Sequence, residues 1–279
     1  MNSEPQETLK LIHLQTWREF KEKIPELNEE TEKLRENPAN GYISPLVFRG
    51  QASADWKLAS SLQREFPEVV SFEDFYMQCF EPSLRLLGGV FKWDIPEMPD
   101  FTLTATAAFN KMSWYGPMAR LRHHGAPSPL LDWTRSAYIA AFFAFDPPIA
   151  KKDSRVAIFS YREYCGSGKG WEGSKPHIAT LGHFVSTHRR HILQQCEYTM
   201  CVKNGSNGTG MLFAPYDDAI SGRPYQGLLK FDDFIQFTIP VSERDEALDD
   251  LEKMNINEYS LFETDDAMVR TVARQTTRR

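Results

Sequence analysis

One stretch of the chain, residues 123–145, constrains the fold more than any other. It reads HHGAPSPLLDWTRSAYIAAFFAF, so a polar segment rich in turn formers opens directly into a short apolar helix. The corner Thr134-Arg135-Ser136 places hydroxyl groups at the start of that helix, where anions bind well, although capping alone explains any single Ser or Thr more simply. Small residues at helical spacing let the helix pack very close to a neighbouring backbone: Ala137, Ala140, Ala141 and Ala144.

Composition sets the class of protein. With 279 residues, of which 41% are apolar and 13% aromatic, the chain can bury a substantial core. The net charge of −6 argues against a broad basic face for duplex nucleic acid, but it does not exclude a nucleic-acid substrate. The longest apolar run, 137–145, is too short to span a bilayer, and the first residues lack the pattern of a secretory signal. We therefore expect a cytoplasmic protein without a membrane partner.

Cysteine usage predicts no metal site and no disulfide framework. The four cysteines form no CxxC pair and lie mostly among apolar or aromatic residues, as ordinary buried thiols do. They are Cys79, Cys165, Cys196 and Cys201.

The pattern of elements predicts one α+β domain with a mixed sheet and helical additions at both ends. Expected helices cover Leu14 to about Arg35 with an interruption near Pro25, 71–87 with Ser71 as N-cap and Gly88-Gly89 as stop, 105–122, 242–254, and a last one from about Thr264. Expected strands cover 42–48, 155–161, 195–202, 210–214 and 234–240. The glycine-rich segment 204–210 lacks the ending of a phosphate-binding loop and is predicted to be a hairpin loop. The expected boundaries are 1–41 for an N-terminal helical extension, 42–262 for the main domain, and 263–279 for a C-terminal helix with a basic tail.

Several of these segments together resemble the FRG domain family. Phe48-Arg49-Gly50-Gln51, then WKL at 56–58, then HHGAPSPLLDWT and its small-residue helix carry the resemblance. It continues at RHILQQCEYT and FTIPVSERDEALDDLEKMNINEYSLF, so that it spans 46–262. Departures from the family pattern are Arg122 in place of Gln, Cys196 in place of Gly, and Glu263-Thr264-Asp265 in place of Pro-Asp. The family by itself implies no reaction.

A second resemblance is to the arginine–serine–glutamate class of ADP-ribosyltransferases. Its three pieces occur in the same order here, as Arg49, Thr134-Arg135-Ser136 and Gln195-Cys196-Glu197. This resemblance implies an ADP-ribosyltransferase-like fold and an enzyme that cleaves NAD and transfers ADP-ribose to a macromolecular acceptor, protein or nucleic acid. It also implies a toxin in bacterial conflict or phage defence, with a neutralising antitoxin protein as partner.

The resemblance assigns five residues to the binding of NAD. Arg49, at the end of a strand, would hold the diphosphate through a two-point guanidinium contact, and Gly50 would let the backbone approach closely. Thr134 and Ser136 would position the nicotinamide end, and His124 would contact NAD or the acceptor from the cleft.

The resemblance assigns the chemistry to Glu197, Gln195 and Arg49. Cleavage of the bond between ribose and nicotinamide builds positive charge on the sugar, which a nearby carboxylate stabilises. Glu197 is the candidate, and Glu197→Gln is expected to abolish transfer while NAD still binds. Gln195 lies two residues away, so that on a strand both side chains would face the cleft and Gln195 could orient the acceptor. Other carboxylates remain possible in this role: Glu243, Glu258 and Glu263.

Structural explanations and two other function classes stay open. Arg49 could form a buried ion pair with Asp132, and Trp133 could simply fill the core. The basic segment 188–191 is expected to be a solvated edge. The alternative functions are a metal-independent nuclease that uses His124 and Asp132, and a nucleotide-binding module without catalysis.

Overall fold

Nine strands form one mixed sheet in the computed structural model, which describes residues 9–93, 95–109, 113–148, 154–165, 173–182, 185, 187–220 and 232–277. The strands are β1 Leu9–His13, β2 Tyr42–Ile43, β3 Val47–Gln51, β4 Leu131–Thr134, β5 Arg155–Cys165, β6 His177–Thr180, β7 Cys196–Asn204, β8 Met211–Phe213 and β9 Asp232–Pro240. Their order is β1-β9-β5-β3-β4-β7-β6, with β2 beside β5 and β8 beside β7. In this sheet β1 and β9 run parallel and the other described pairs are antiparallel, which confirms the predicted α+β class with a mixed sheet.

Helices cover both sides of the sheet. They are α1 Trp17–Glu36, α2 Ser61–Glu65, α3 Phe72–Phe75, α4 Glu81–Phe91, α5 Ala105–Phe109, α6 Tyr115–His123, α7 Ala137–Phe145, α8 Arg189–Leu193, α9 Tyr216–Ile220, α10 Arg244–Lys253, α11 Glu258–Phe262 and α12 Asp265–Thr277. A π-helical turn, Tyr76–Phe80, joins α3 to α4. None of the helices in the described ranges has the length and hydropathy that a bilayer crossing requires.

Three predicted element boundaries are wrong for local reasons. Helix α1 continues through Pro25, although a proline inside a helix has no N–H to donate. Pro25 is on the exposed side, and the burial of Phe20 and Leu27 on either side of it holds the helix against the core. The predicted strand 42–48 is divided into β2 and β3 around Pro45, which has no N–H to donate to a ladder. Helix α4 does not stop at Gly88-Gly89 but runs on to Phe91.

The apolar side chains form three clusters that follow the two faces of the sheet. One cluster packs α1, α7 and α10 against β5 and β9. A second packs α3 to α6 against β7 and β8. A third lies on the opposite face of the strands and contains Trp133, which is buried, as expected, and donates from Nε1 to Thr199 Oγ1 at 2.9 Å. The half of the sheet with β5 and β9 is therefore packed by one set of helices and the half with β7 and β8 by another, and the two halves meet at β3 and β4.

The strands β3 and β4 are joined through a single pair, Phe48 with Thr134. Beyond this pair the two strands diverge, and a cleft opens between their ends. Helix α7 lies directly against β3, as its small residues predict. A Cβ atom built on Gly50 would lie 1.9 Å from the carbonyl oxygen of Ala140. Gly50 is therefore required for the approach of the helix, whereas the sequence analysis assigned its close approach to a ligand.

Residues 9–41 share the sheet and core of the rest of the described chain. Strand β1 pairs with β9 over its whole length, and α1 places Trp17 and Phe20 in the same cluster as α7. Arg162 on β5 is 1% exposed and reaches both Asp233, at 2.6 Å, and the hydroxyl of Thr31 in α1, at 2.9 Å. The predicted boundary at 41/42 therefore does not coincide with a break in the packing.

Candidate functional site

A cleft of about 320 Å³ lies where β3 and β4 separate. Both strands, the end of α6, helix α7, the junction of α8 with β7, and α11 contribute to its wall. Its volume is at the lower end of the range of small-molecule sites. The residues that carry its polar chemistry are Arg49, Arg122, His123, Asp132, Arg190 and Gln194.

Arg49 lies between the two diverging strands. Its Nη1 donates to the main-chain carbonyl oxygen of Asp132 at 2.8 Å, so the guanidinium bridges β3 and β4 where their ladder ends. The Nε atom is buried and has no partner among the described residues. Burial lowers the pKa of Arg49 to about 10, against the opposing effect of Asp132, so the side chain stays charged at neutral pH.

Asp132 pairs with Arg122 rather than with Arg49. Its Oδ2 accepts from Nη2 of Arg122 at 2.8 Å and from Nε at 3.1 Å. Its Oδ1 is buried and has no partner in the described part of the chain. The expected Arg49–Asp132 ion pair is therefore corrected, because Arg49 binds the peptide group of Asp132 and leaves the carboxylate to the nearer guanidinium.

The cleft carries an excess of positive charge. Arg49, Arg122 and Arg190 are among the residues that line it, and Asp132 is the one carboxylate among the described lining residues. Arg190 lies over the ring of Phe262 at 5.4 Å and donates from Nη1 to the carbonyl oxygen of His123 at 3.0 Å, while its Nε has no partner in the described ranges. Because both Nε atoms are buried, an anionic ligand would be bound through the remaining Nη–H groups of these two arginines.

The hydroxyl corner supports helix α7. Thr134 is buried, lines the cleft, and accepts from the main-chain N–H of Ser136 at 3.1 Å. Ser136 is the N-cap of α7, since its Oγ accepts from the N–H of Ile139 at 3.3 Å. Ser136 is not among the residues that line the cleft, so the geometry places Thr134, and not Ser136, beside a ligand.

Ser136→Ala should lower the free energy of unfolding by about 1 kcal/mol, because the N–H group of Ile139 loses its acceptor. Ligand affinity should not change. Ser136→Asn, which retains a capping oxygen, is the control and should keep wild-type stability. Urea unfolding checks both variants, and an equal loss for alanine and asparagine would contradict the capping role.

His124 lies outside the cleft. Its ring is exposed, stacks on Phe91 with centroids 6.2 Å apart, and meets His188 edge to face at 5.1 Å. The preceding residue, His123, lines the cleft instead. His123 is the last residue of α6, and a helix turns by about 100° per residue, so adjacent histidines at its end face different directions.

Gln195 and Glu197 do not share a strand face. Strand β7 begins at Cys196, and Gln195 precedes it as an exposed residue with φ of 50°, in the left-handed region. Because side chains alternate along a strand, Cys196 lines the cleft and Glu197 faces the other way, paired in register with Trp133. Glu197 is buried, and its Oε1 lies 4.0 Å from Nε of Arg135. The expectation that both side chains point into the cleft is therefore wrong.

The structure brings three of the predicted site residues together in the cleft, namely Arg49, Gly50 and Thr134. Several other lining residues were not predicted as site residues: Arg122, His123, Arg190, Gln194 and Cys196. Arg190 was expected on a solvated edge, but the turn of α8 directs it into the cleft. Gln194 is fixed by a bond from Nε2 to the carbonyl oxygen of Leu261 at 3.1 Å.

A buried group of side chains adjoins the cleft. Atoms of His123, His191 and Cys196 that could act as metal ligands lie within 4.8 Å of one another. The Tyr198 hydroxyl, however, already bonds two of them, His123 Nε2 at 2.6 Å and His191 Nδ1 at 3.3 Å. Burial raises the pKa of the Cys196 thiol far above its ordinary value, so this thiol is protonated. The group is thus a hydrogen-bonded network whose centre is a tyrosine.

Residues 44–153 match the model of the FRG domain family. The match supports the resemblance over this part of the chain, which contains β3, α6, β4 and α7. No curated protein and no solved structure matches the chain. The cleft extends beyond the matched residues, since Arg190, Gln194 and Phe262 also line it.

Proposed function

We propose that the cleft binds NAD through its diphosphate and that the protein is an ADP-ribosyltransferase. The observation that carries the proposal is that three arginines and a single carboxylate are among the described residues that line the cleft, in a chain whose net charge is negative. Arginine binds phosphate oxygens through a planar fork that lysine does not have. A cleft of about 320 Å³ would take the diphosphate and one ribose, and the rest of the dinucleotide would extend from its mouth.

Asp132 is the carboxylate that the geometry favours for the chemical step. In that step the bond between ribose C1′ and the nicotinamide nitrogen breaks, and its electron pair leaves with nicotinamide. A nucleophile of the acceptor macromolecule, protein or nucleic acid, then bonds to C1′ and releases its proton. A carboxylate beside C1′ stabilises the positive charge that develops on the ribose. Asp132 is one of the residues that line the cleft, and its buried Oδ1 has no described partner, whereas Glu197 does not line the cleft and faces the opposite side of the sheet.

Arg49→Gln should weaken NAD binding by roughly 10- to 150-fold, since the loss of a charge-assisted contact costs about 1.5–3 kcal/mol. The matched control is Arg189→Gln, because Arg189 is exposed and pairs with Glu263 at 2.9 Å outside the cleft. Calorimetric titration with NAD measures both, and thermal unfolding confirms that both variants fold. Equal affinity of Arg49→Gln and the wild type would contradict the diphosphate contact.

Asp132→Asn should leave NAD bound but slow the release of nicotinamide by roughly 100-fold or more. The affinity for NAD should not fall, because the guanidinium of Arg122 loses its charged partner and its N–H groups become available to the ligand. Glu197→Gln, tested in parallel, identifies the carboxylate: a loss of release in this variant alone would assign the step to Glu197. The assay uses labelled NAD with protein, RNA and DNA fractions as acceptors.

The other function classes predict different results in the same assay. A binding module would hold NAD and release no nicotinamide. A nuclease would cut RNA or DNA without regard to NAD, and it would need a base near Asp132. His123 occupies that position, but burial lowers its pKa to about 4, which makes it a weak base at neutral pH. Either result would overturn the transferase proposal.

A further inference from the structure

We infer that a buried hydrogen-bond relay fixes the imidazole of His123 in one tautomer and presents its Nδ1–H group to the ligand in the cleft. The relay consists of His191, Tyr198 and His123. That His123 donates to NAD rests on the proposed function. That the relay fixes the tautomer of His123 does not depend on that function. Tyr198 and His191 are then positioning residues, and His123 is the residue that contacts the ligand.

The relay is a short chain of contacts behind the cleft wall. His191 on α8 and Tyr198 on β7 are both buried, and their rings stack at 5.7 Å with an interplanar angle of 15°. The Tyr198 hydroxyl lies 3.3 Å from His191 Nδ1 and 2.6 Å from His123 Nε2. One hydroxyl therefore joins the two imidazoles.

The two distances set the direction of the relay. A hydroxyl carries a single proton, so Tyr198 can donate to one imidazole and must accept from the other. Bonds donated by O–H are shorter than bonds donated by N–H. The 2.6 Å contact therefore corresponds to donation from Tyr198 to His123 Nε2, and the 3.3 Å contact to donation from His191 Nδ1 to Tyr198. Burial raises the pKa of Tyr198 far above its ordinary value, which keeps this proton on the oxygen.

His123 then has one proton, on Nδ1. Burial, reinforced by His191, His188 and Arg190 and opposed by Asp132, lowers the pKa of His123 to about 4, so the ring is neutral at pH 7. A neutral imidazole whose Nε2 accepts must carry its proton on Nδ1. No partner for Nδ1 exists in the described part of the chain, and this atom is not one of the buried unpaired atoms, so it keeps accessible surface. We place this surface in the cleft because His123 is one of the lining residues.

This arrangement adds a directional donor without adding charge. The three guanidinium groups supply charge and bind any phosphate oxygen, whereas one fixed N–H group selects a position on the ligand. We assign it to a phosphate oxygen or a ribose hydroxyl of the bound nucleotide. The same cluster could in principle hold zinc, but a metal would have to displace the Tyr198 hydroxyl from its two bonds.

The tautomer can be measured in the free protein by long-range proton–nitrogen NMR of labelled histidine. We expect His123 in the Nδ1–H form in the wild type and a shift toward the Nε2–H form in Tyr198→Phe. The control is Tyr115→Phe, because the Tyr115 hydroxyl donates to the carbonyl oxygen of Gly182 at 2.7 Å and makes no bond to His123. An Nε2–H form in the wild type, or zinc bound at one equivalent and lost in Cys196→Ser, would overturn the relay.

A second pair of variants tests the donor in the cleft and does not require Tyr198 to be changed. The amide nitrogen of His123→Asn occupies the position of Nδ1, whereas that of His123→Gln occupies the position of Nε2. We expect the asparagine variant to bind NAD within about 3-fold of the wild type and the glutamine variant to bind roughly 10-fold more weakly. Inorganic phosphate is the second probe. If the wild type binds phosphate but not NAD, the proposed function fails, and the two variants still test the His123 donor with phosphate. Equal affinities of the two variants would contradict the assignment.

Discussion

Gly50→Ala is expected to lower the free energy of unfolding by at least about 3 kcal/mol. The new Cβ would lie 1.9 Å from the carbonyl oxygen of Ala140 and 2.6 Å from the amide nitrogen of Ala144. Both are backbone atoms of α7, so no side-chain rotamer can relieve the overlap, and the whole helix must move away from β3. Because α7 also lines the cleft through Ala140, ligand binding should be lost together with stability.

The control for this variant is Gly89→Ala. Gly89 lies in α4, is exposed, and has no atom within 4 Å of its added Cβ among the described residues. Alanine there should raise stability by roughly 0.5–1 kcal/mol, since glycine is the poorer helix former. Thermal unfolding compares the two. If Gly50→Ala had the same melting temperature as the wild type, α7 would be able to shift with no loss of stability. Close packing would then not be the reason for this glycine.

Asp233→Ala is expected to cost about 3–5 kcal/mol, because it leaves the guanidinium of Arg162 buried without its main counter-charge. Arg162 is 1% exposed, and a second acid near it, Glu30, lies at 3.4 Å and is largely exposed. The double variant Arg162→Met with Asp233→Ala should recover much of this loss, since a buried apolar side chain then replaces the pair.

An exposed ion pair gives the matched comparison. Arg18 and Glu22 are 2.9 Å apart on the solvent side of α1, so Glu22→Gln should change stability by at most about 0.5 kcal/mol. Urea unfolding of the single and double variants completes a double-mutant cycle. If Asp233→Ala cost no more than Glu22→Gln, the pair would not hold α1 to the sheet.

Much of the fold followed from periodicity and turn residues. The strands β5 and β9 and the helix α10 lie close to where their patterns predict them, because each buries one face over many residues. The hairpin between β7 and β8 was also predicted from its glycines. Strand β1 was not predicted: LKLIH is only five residues long, and it pairs with a strand more than two hundred residues away. A local pattern cannot reveal that partner.

Site residues that lie on the two strands bordering the cleft were predicted correctly. Site residues were missed where a shift of one position along a helix or strand changes the direction of the side chain. Arg49 and Thr134 line the cleft because they lie on the strands that border it. Two of the differences, His123 for His124 and Cys196 for Glu197, are single-residue shifts. A one-residue shift on a strand exchanges its faces, so Cys196 replaces Glu197 in the cleft wall. The left-handed turn at Gln195 carries no glycine, so no residue type marks the start of the strand after it.

The pairing of β1 with β9 has a consequence for synthesis. During translation, Leu9–His13 leaves the ribosome long before Asp232–Pro240 exists, and the helix that follows β1 must bury Trp17 and Phe20 against a sheet that is not yet complete. The nascent chain therefore carries an unpaired strand and an uncovered apolar helix face until β9 has been translated. Such a nascent chain exposes aggregation-prone surface for longer than one whose first strands pair with each other.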